Sequence, residues 1–99
     1  MRLWLDDTRP APEGWTWVKN IEDAKLQAEV AFYSSTFVSE FEECSLDHDL
    51  GNGDFNDGIY FVDWMAENCI WPDEKPVVHS MNPVGRMRME LTISRYWTW

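Results

Sequence analysis

Cysteine and basic residues are both scarce in this sequence. Only two of the 99 residues are cysteines, Cys44 and Cys69, and neither has the CxxC or Cys/His spacing typical of a zinc site. We therefore expect free, buried thiols and no disulfide framework. Eight Lys and Arg stand against 18 Asp and Glu, which gives a formal net charge of −10. A field of this sign repels duplex phosphate and argues against duplex DNA as a partner.

Long hydrophobic runs, internal repeats and Ser/Gly-rich linkers are also missing. No apolar stretch approaches the roughly 20 residues of a membrane-spanning helix, and the first seven residues contain no segment apolar enough for secretion. We therefore expect a cytoplasmic protein that does not act at a membrane. Its length predicts a single domain over residues 1–99.

Aromatic residues, and in one segment acidic residues, are over-represented. Seven Trp, three Tyr and five Phe exceed what a small core needs, so we expect some of them at a surface or site, with residues 97–99 as the first candidate. Residues 40–74 contain eleven acidic side chains and no Lys or Arg. Such a surface could bind a basic protein partner as an inhibitor or decoy.

The pattern of apolar segments and turn residues predicts four strands and three helices. Short apolar, β-branched or aromatic runs predict strands near residues 3–5, 15–18, 44–46 and 77–78. Cap residues and helical spacing predict helices over residues 21–33, from the Asp57 cap to about residue 69, and 83–96. This order indicates a small α/β domain with a parallel sheet, because parallel neighbours are joined by right-handed crossovers.

Polar side chains follow three of these strands at the point where each strand ends. They are Asp6–Asp7, Asp47–His48–Asp49 and His79–Ser80, and they include both histidines of the chain. Each residue alone could simply be structural. Because the carboxyl ends of parallel strands meet at one edge of a sheet, where ligands of such folds bind, we expect the three groups to converge into one crevice.

The start of the last helix has the features of an anion site. Asn82 and Pro83 open it directly after a strand, which directs free backbone N–H groups and the positive end of the helix dipole into the crevice. Gly85 lacks a Cβ where a ligand could approach, and Arg86 adds a forked donor suited to phosphate oxygens. Arg9, in the loop after the first strand, is a second candidate cation.

Three strings carry these groups: LWLDDTRP at residues 3–10, SLDHDLG at 45–51 and HSMNPVGRM at 79–87. Through them the chain resembles the cyclic-phosphate processing receiver domain family over nearly its whole length. The resemblance implies a receiver-like, flavodoxin-like, three-layer domain with about four parallel strands and flanking helices. The fifth strand of ordinary receivers and its lysine are missing, so we do not expect signalling through an aspartyl phosphate.

The resemblance also implies a substrate class and a set of site residues. The substrate would be a cyclic phosphate, such as a 2′,3′-cyclic nucleotide or RNA end, or a cyclic phosphate of ADP-ribose. The implied polar site consists of Asp6, Asp7, Asp47, His48, Asp49, His79, Ser80, Asn82 and Arg86.

Our first hypothesis is a hydrolase in which one histidine activates water and the other protonates the departing ribose oxygen. Asp47 and Asp49 would assist the histidines, and Arg9, Ser80, Asn82, Gly85 and Arg86 would hold the phosphate. Asp6, Asp7 and Asp47 would orient a histidine or bind a divalent metal. Oxygen ligands favour Mg²⁺ or Mn²⁺, although the histidines leave zinc possible. The alternatives are a nucleotide-binding module without turnover and an acidic interaction protein.

Overall fold

The architecture follows the predicted order of elements. A computed structural model describes residues 1–34, 39–51 and 57–97. Asp54 of the acidic segment and Thr98–Trp99 of the aromatic tail lie outside these residues. The elements are β1 (Arg2–Leu5), β2 (Thr16–Val18), α1 (Ile21–Tyr33), β3 (Glu43–Leu46), α2 (Gly58–Asn68), β4 (Val77–Val78) and α3 (Pro83–Tyr96).

The four strands form one parallel sheet in the order β2-β1-β3-β4. The parallel α/β fold predicted from the sequence is confirmed. Because all strands of this sheet run in the same direction, the residues that follow β1, β3 and β4 emerge at one edge. The described residues contain no fifth strand.

Local signals in the sequence set the limits of the helices. The side chains of Asn20 and Asn82 accept hydrogen bonds from the backbone N–H groups of Asp23 and Gly85, so both act as N-caps as expected. Asp57 precedes α2 but makes no side-chain cap hydrogen bond, which corrects its expected role. With lengths of 11 to 14 residues, none of the described helices is long and apolar enough to cross a membrane.

One face of the sheet and all three helices form the core. Leu3 and Leu5 of β1 lie beside Cys44 and Leu46 of β3, and all four are buried. The helices contribute side chains to the same cluster, including Ala24, Ala28, Val62, Met65, Met89 and Ile93. They therefore form a single layer, which differs from the three-layer arrangement expected from the sequence. Only a loop joins β1 to β2, and the later crossovers all move the same way across the sheet, so right-handed connections place their helices on one side.

The other side of the sheet, called the open face here, consists of Arg2, Trp4, Trp17, Glu43, Ser45 and Val77. Trp4 pairs with Trp17 on one side and with Ser45 on the other, and Ser45 pairs with Val77. The loop between β1 and β2 folds back here, because the Trp4 indole donates to the Arg9 carbonyl at 2.9 Å. A loop rich in proline thus takes a position that a helix could have occupied.

The two cysteines differ in accessibility, and this leads to a first prediction. Both were expected to be buried, but only Cys44 is buried, whereas Cys69 ends α2 in a left-handed conformation at φ 54° and is exposed. Burial raises the pKa of the Cys44 thiol, and the charge of Glu43 adds to this effect. We expect a thiol-specific chromogenic reagent to modify one cysteine in the folded protein and both in denaturant. Rapid modification of both in the folded state would contradict the packing of β3.

Candidate functional site

Asp6 is the centre of the polar cluster at the end of the sheet. Its side chain is fully buried. Oδ1 accepts hydrogen bonds from the backbone N–H groups of Thr8 at 2.9 Å and Arg9 at 2.8 Å, while Oδ2 lies 3.0 Å from Nε2 of His79. Burial alone would raise the pKa of Asp6, but the hydrogen bonds from Arg9, Thr8 and His79 hold it below its ordinary value. Asp6 is therefore a carboxylate that can only accept hydrogen bonds.

His79 is held on three sides. Because Asp6 only accepts, Nε2 of His79 carries the proton of that bond, and Nδ1 lies 2.7 Å from Oγ of Ser45. In the neutral ring Nδ1 then accepts a hydrogen bond from the Ser45 hydroxyl group. The imidazole also stacks on Trp4, with ring centroids 4.0 Å apart and planes 7° from parallel. His79 therefore reaches from β4 across Ser45 to β1.

Ser45 is a residue of the cluster that sequence reasoning missed. It sits inside β3, two residues before the polar group that the strand-end pattern selected, and it is buried. The available signal was its small size in a strand otherwise rich in larger side chains. Only a small residue here lets the His79 ring pass over β3 to Trp4.

Three carboxylates at the end of the sheet are close enough to share a cation. Oxygen atoms of Asp6, Asp7 and Asp47 lie within 4.8 Å of one another, as the sequence prediction of a metal group requires. Burial and the charge of Asp6 raise the pKa of Asp47, while the His48 backbone N–H, His79 and Arg9 act in the opposite direction. The negative charges of these carboxylates repel one another, and a divalent cation that prefers oxygen ligands would neutralise them.

His48 belongs to a second group, on the helical side of the sheet. Its Nδ1 lies 2.8 Å from Oδ1 of Asp49, which also accepts from Nδ2 of Asn82 at 3.2 Å. These two hydrogen bonds lower the pKa of Asp49, so the Nδ1 of His48 is the donor. Nε2 of His48 is buried and has no hydrogen-bond partner within the described residues. In the neutral ring this nitrogen carries a free lone pair.

Gly85 has a different role from the one expected. A Cβ at this position would lie 2.4 Å from Cγ of His48, so the imidazole ring occupies the space that was assigned to an approaching ligand. His48 is 7% exposed and packs against the first turn of α3, which also corrects the expectation that it projects freely into the crevice. Nearby, the buried Ser80 hydroxyl accepts from the Asn82 backbone N–H at 3.1 Å.

Of the two candidate cations, Arg9 contacts the cluster. Its Nη1 donates to the carbonyl oxygen of His79 at 3.0 Å. Arg86 instead pairs with Glu90 on the same helix, with Nε 2.7 Å from Oε1, and lines a cavity beside β4 together with Lys75. Among the described residues, the structure therefore brings Arg9 to His79 and leaves Arg86 on the surface of α3.

The fold and this edge of polar side chains define a small receiver-like α/β domain. The family model described as the cyclic-phosphate processing Receiver domain matches residues 1–95. The chain therefore belongs to this family, as its three sequence strings predicted. Comparisons with curated proteins and with solved structures give no match.

Proposed function

We propose that the protein hydrolyses a cyclic phosphate, either a 2′,3′-cyclic nucleotide or RNA end or a cyclic phosphate of ADP-ribose. The observation that carries the proposal is the hydrogen-bonded chain from Asp6 through His79 to Ser45, adjacent to the carboxylates of Asp7 and Asp47. Membership of a cyclic-phosphate processing family supports the substrate class.

The two histidines have environments suited to opposite proton transfers. In the reaction water attacks phosphorus, a phosphorus–oxygen bond of the ring breaks, and one proton moves from the water while another reaches the departing ribose oxygen. His48 is assigned the base, because Asp49 holds its Nδ1 and its Nε2 has no partner among the described residues; since this nitrogen is buried against the first turn of α3, the assignment requires that turn to move aside for water. His79, held between the Asp6 carboxylate and the Ser45 hydroxyl, is assigned the acid. Each transfer typically contributes about 10² to 10⁴-fold.

A divalent cation fits the same edge. Asp6, Asp7 and Asp47 would hold it through oxygen atoms, which favours Mg²⁺ or Mn²⁺. When bound, such an ion lowers the pKa of water and stabilises charge on phosphoryl oxygens. Asp6 would then serve both the cation and His79.

Arg9 is assigned the main phosphate contact. One guanidinium nitrogen holds the His79 carbonyl, and the side chain is otherwise exposed, so further N–H donors remain for a phosphoryl oxygen. Asn82, Ser80 and Gly85 shape the start of α3, whose dipole favours an anion. Arg86 would contribute only if its ion pair with Glu90 opens.

A panel of cyclic phosphates tests the proposal. Purified protein is incubated with 2′,3′-cyclic nucleotides and with ADP-ribose cyclic phosphate, in EDTA or with Mg²⁺, Mn²⁺ or Zn²⁺, and products are followed by ³¹P NMR. We expect a phosphomonoester product with at least one substrate. Turnover in EDTA would assign the chemistry to the histidines alone, and turnover restored only by a metal would assign a role to the carboxylates. No product under any condition would refute hydrolysis.

A binding module without turnover is the second candidate. The observation in its favour is that both ring nitrogens of His79 already have partners, Ser45 and Asp6. In that case the same panel gives saturable binding by calorimetry but no product. The acidic interaction surface over residues 40–74 stays a prediction, to be tested with a basic protein partner.

A further inference from the structure

The open face carries an exposed aromatic side chain that is joined directly to the polar cluster. Trp17 of β2 is 38% exposed, and its indole N–H donates to the carbonyl oxygen of Asp6 at 2.7 Å. Its neighbour Trp4 is already covered, by His79 on its face and by the edge of Trp15. Trp17 is therefore the indole on this face that offers π surface to a ligand, and it lies one hydrogen bond from Asp6.

Two cations, Lys19 beside Trp17 and Arg9 beside His79, are available to an anion. Lys19 places Nζ 4.4 Å from the centre of the Trp17 ring, whereas the Arg9 guanidinium lies beyond Trp4, where Nη1 donates to the His79 carbonyl at 3.0 Å. Neither side chain forms an ion pair with a carboxylate of the described residues, although the chain carries a net charge of −10. By contrast, Lys25 and Arg86 on the helices both pair with glutamates. Lys75, Arg88 and Arg95 likewise form no ion pair among the described residues, so Lys19 and Arg9 stand out by their position near the open face and the Asp6 cluster.

An exposed aromatic ring with one unpaired cation beside it and a second near the polar cluster matches the chemistry of a nucleotide. A nucleobase stacks on an indole through its π face, and the attached phosphate is attracted by the neighbouring Lys and Arg. A base on Trp17 would take the place of the Lys19 ammonium, which would then be free to move toward the phosphate. A purely apolar partner would leave both cations unsatisfied, and a bare phosphate would make no use of the indole.

We propose that Trp17 is a stacking site for the nucleobase of the ligand, with Lys19 and Arg9 as its phosphate contacts. This inference rests on the proposed function, because it names the part of the substrate that lies outside the cyclic phosphate. The site would bind a ligand that carries a nucleobase, either a mononucleotide or the last nucleotide of a single-stranded RNA. Base-free sugar cyclic phosphates would then be poor ligands.

Binding measurements separate the stacking site from the chemistry. Adenosine 2′,3′-cyclic phosphate, adenosine 2′-monophosphate, ribose 5-phosphate and a short RNA with a 2′,3′-cyclic end are titrated by calorimetry into the wild type, Trp17→Leu and Trp17→Phe. Tyr33→Leu is the matched control, because Tyr33 is 65% exposed on α1, on the other side of the sheet. In parallel, two-dimensional NMR follows the Trp17 indole N–H, assigned by its loss in Trp17→Phe.

We expect Trp17→Leu to lower the affinity for both adenosine ligands by roughly fivefold to a hundredfold, which is the range expected for the stacking of one base. Trp17→Phe should recover part of this affinity, since it keeps an aromatic face, and Tyr33→Leu should bind like the wild type. The indole N–H of Trp17 should shift with adenosine 2′-monophosphate and stay in place with ribose 5-phosphate. Tighter binding of the RNA than of the mononucleotides would identify RNA ends as the source of the ligand.

The outcomes also distinguish this inference from the proposed function. If the wild type turns over cyclic phosphates but Trp17→Leu binds the adenosine ligands as tightly as the wild type, the stacking site is refuted and the hydrolase stands. If no substrate is turned over but the Trp17 indole still shifts with adenosine 2′-monophosphate, the stacking site stands and the hydrolase is refuted. An indole that does not respond to either adenosine ligand overturns the stacking site.

Discussion

Asp6→Asn is expected to lower turnover of the cyclic phosphate by about 10² to 10⁴-fold, the range of one proton-transfer group. The asparagine can still accept from Thr8 and Arg9 through its oxygen, but its NH₂ group would then face Nε2 of His79, where two donors oppose each other. The change also removes the negative charge that lies 3.0 Å from the His79 ring. Initial rates under saturating substrate, with and without Mg²⁺, measure the effect.

The matched control for this variant is Asp73→Asn. Asp73 is exposed and precedes β4, at the opposite end of the strands from the site, so the substitution removes the same charge without touching His79. We expect Asp73→Asn to keep wild-type turnover. Urea unfolding of both variants shows whether Asp6→Asn remains folded. A folded Asp6→Asn protein with turnover within twofold of the wild type would contradict the assigned role of the Asp6–His79 pair.

Gly58→Ala is expected to cost about 3 kcal/mol of folding free energy or to prevent folding, the upper end of the range for overpacking. A Cβ at this first residue of α2 would lie 2.0 Å from the backbone oxygen of Asp47 and 2.9 Å from Cε of Met89. The methionine can move, but the Asp47 carbonyl belongs to the backbone that leaves β3. The start of α2 would therefore have to shift away from the sheet. Urea and thermal unfolding measure the loss.

Gly85→Ala and Gly14→Ala provide the comparison for Gly58. At Gly85 the obstacle is the His48 side chain at 2.4 Å, which can turn away, so we expect a loss of about 1–3 kcal/mol. At Gly14 no heavy atom lies within 4 Å, and the only cost comes from its φ of 87°, about 1 kcal/mol. The expected order of destabilisation is Gly58, then Gly85, then Gly14. Equal losses in all three would show that close packing of α2 on β3 does not limit stability.

Much of the fold was predictable because its signals are local. The caps at Asn20 and Asn82 and the proline after Asn82 locate the starts of α1 and α3. The number of helical layers was not predictable in this way. It depends on the strand order, which is a property of pairs distant in sequence, such as Leu5 with Leu46.

The sequence selected polar residues that the structure places at the end of the sheet, but it did not show how they contact one another. The strand-end rule selected Asp6, Asp47 and His79, because all parallel strands end at the same edge. It could not select Ser45, whose hydroxyl matters only because β3 and β4 pair in the register that brings His79 over it. Nor could it rank Arg9 above Arg86, since the nearest partner of Arg86 is Glu90, one turn along α3.

The sequence by itself determined the order of elements, the parallel sheet, the polar residues at its carboxyl edge and the family. These depend on hydrophobic period, caps and turn residues, which act over a few positions of the chain. Only the tertiary structure decided that the helices form one layer, that Gly85 makes room for His48, and that Trp17 stays exposed one hydrogen bond from Asp6. Those outcomes follow from contacts between distant segments, where strand register and helix packing determine which face each side chain occupies.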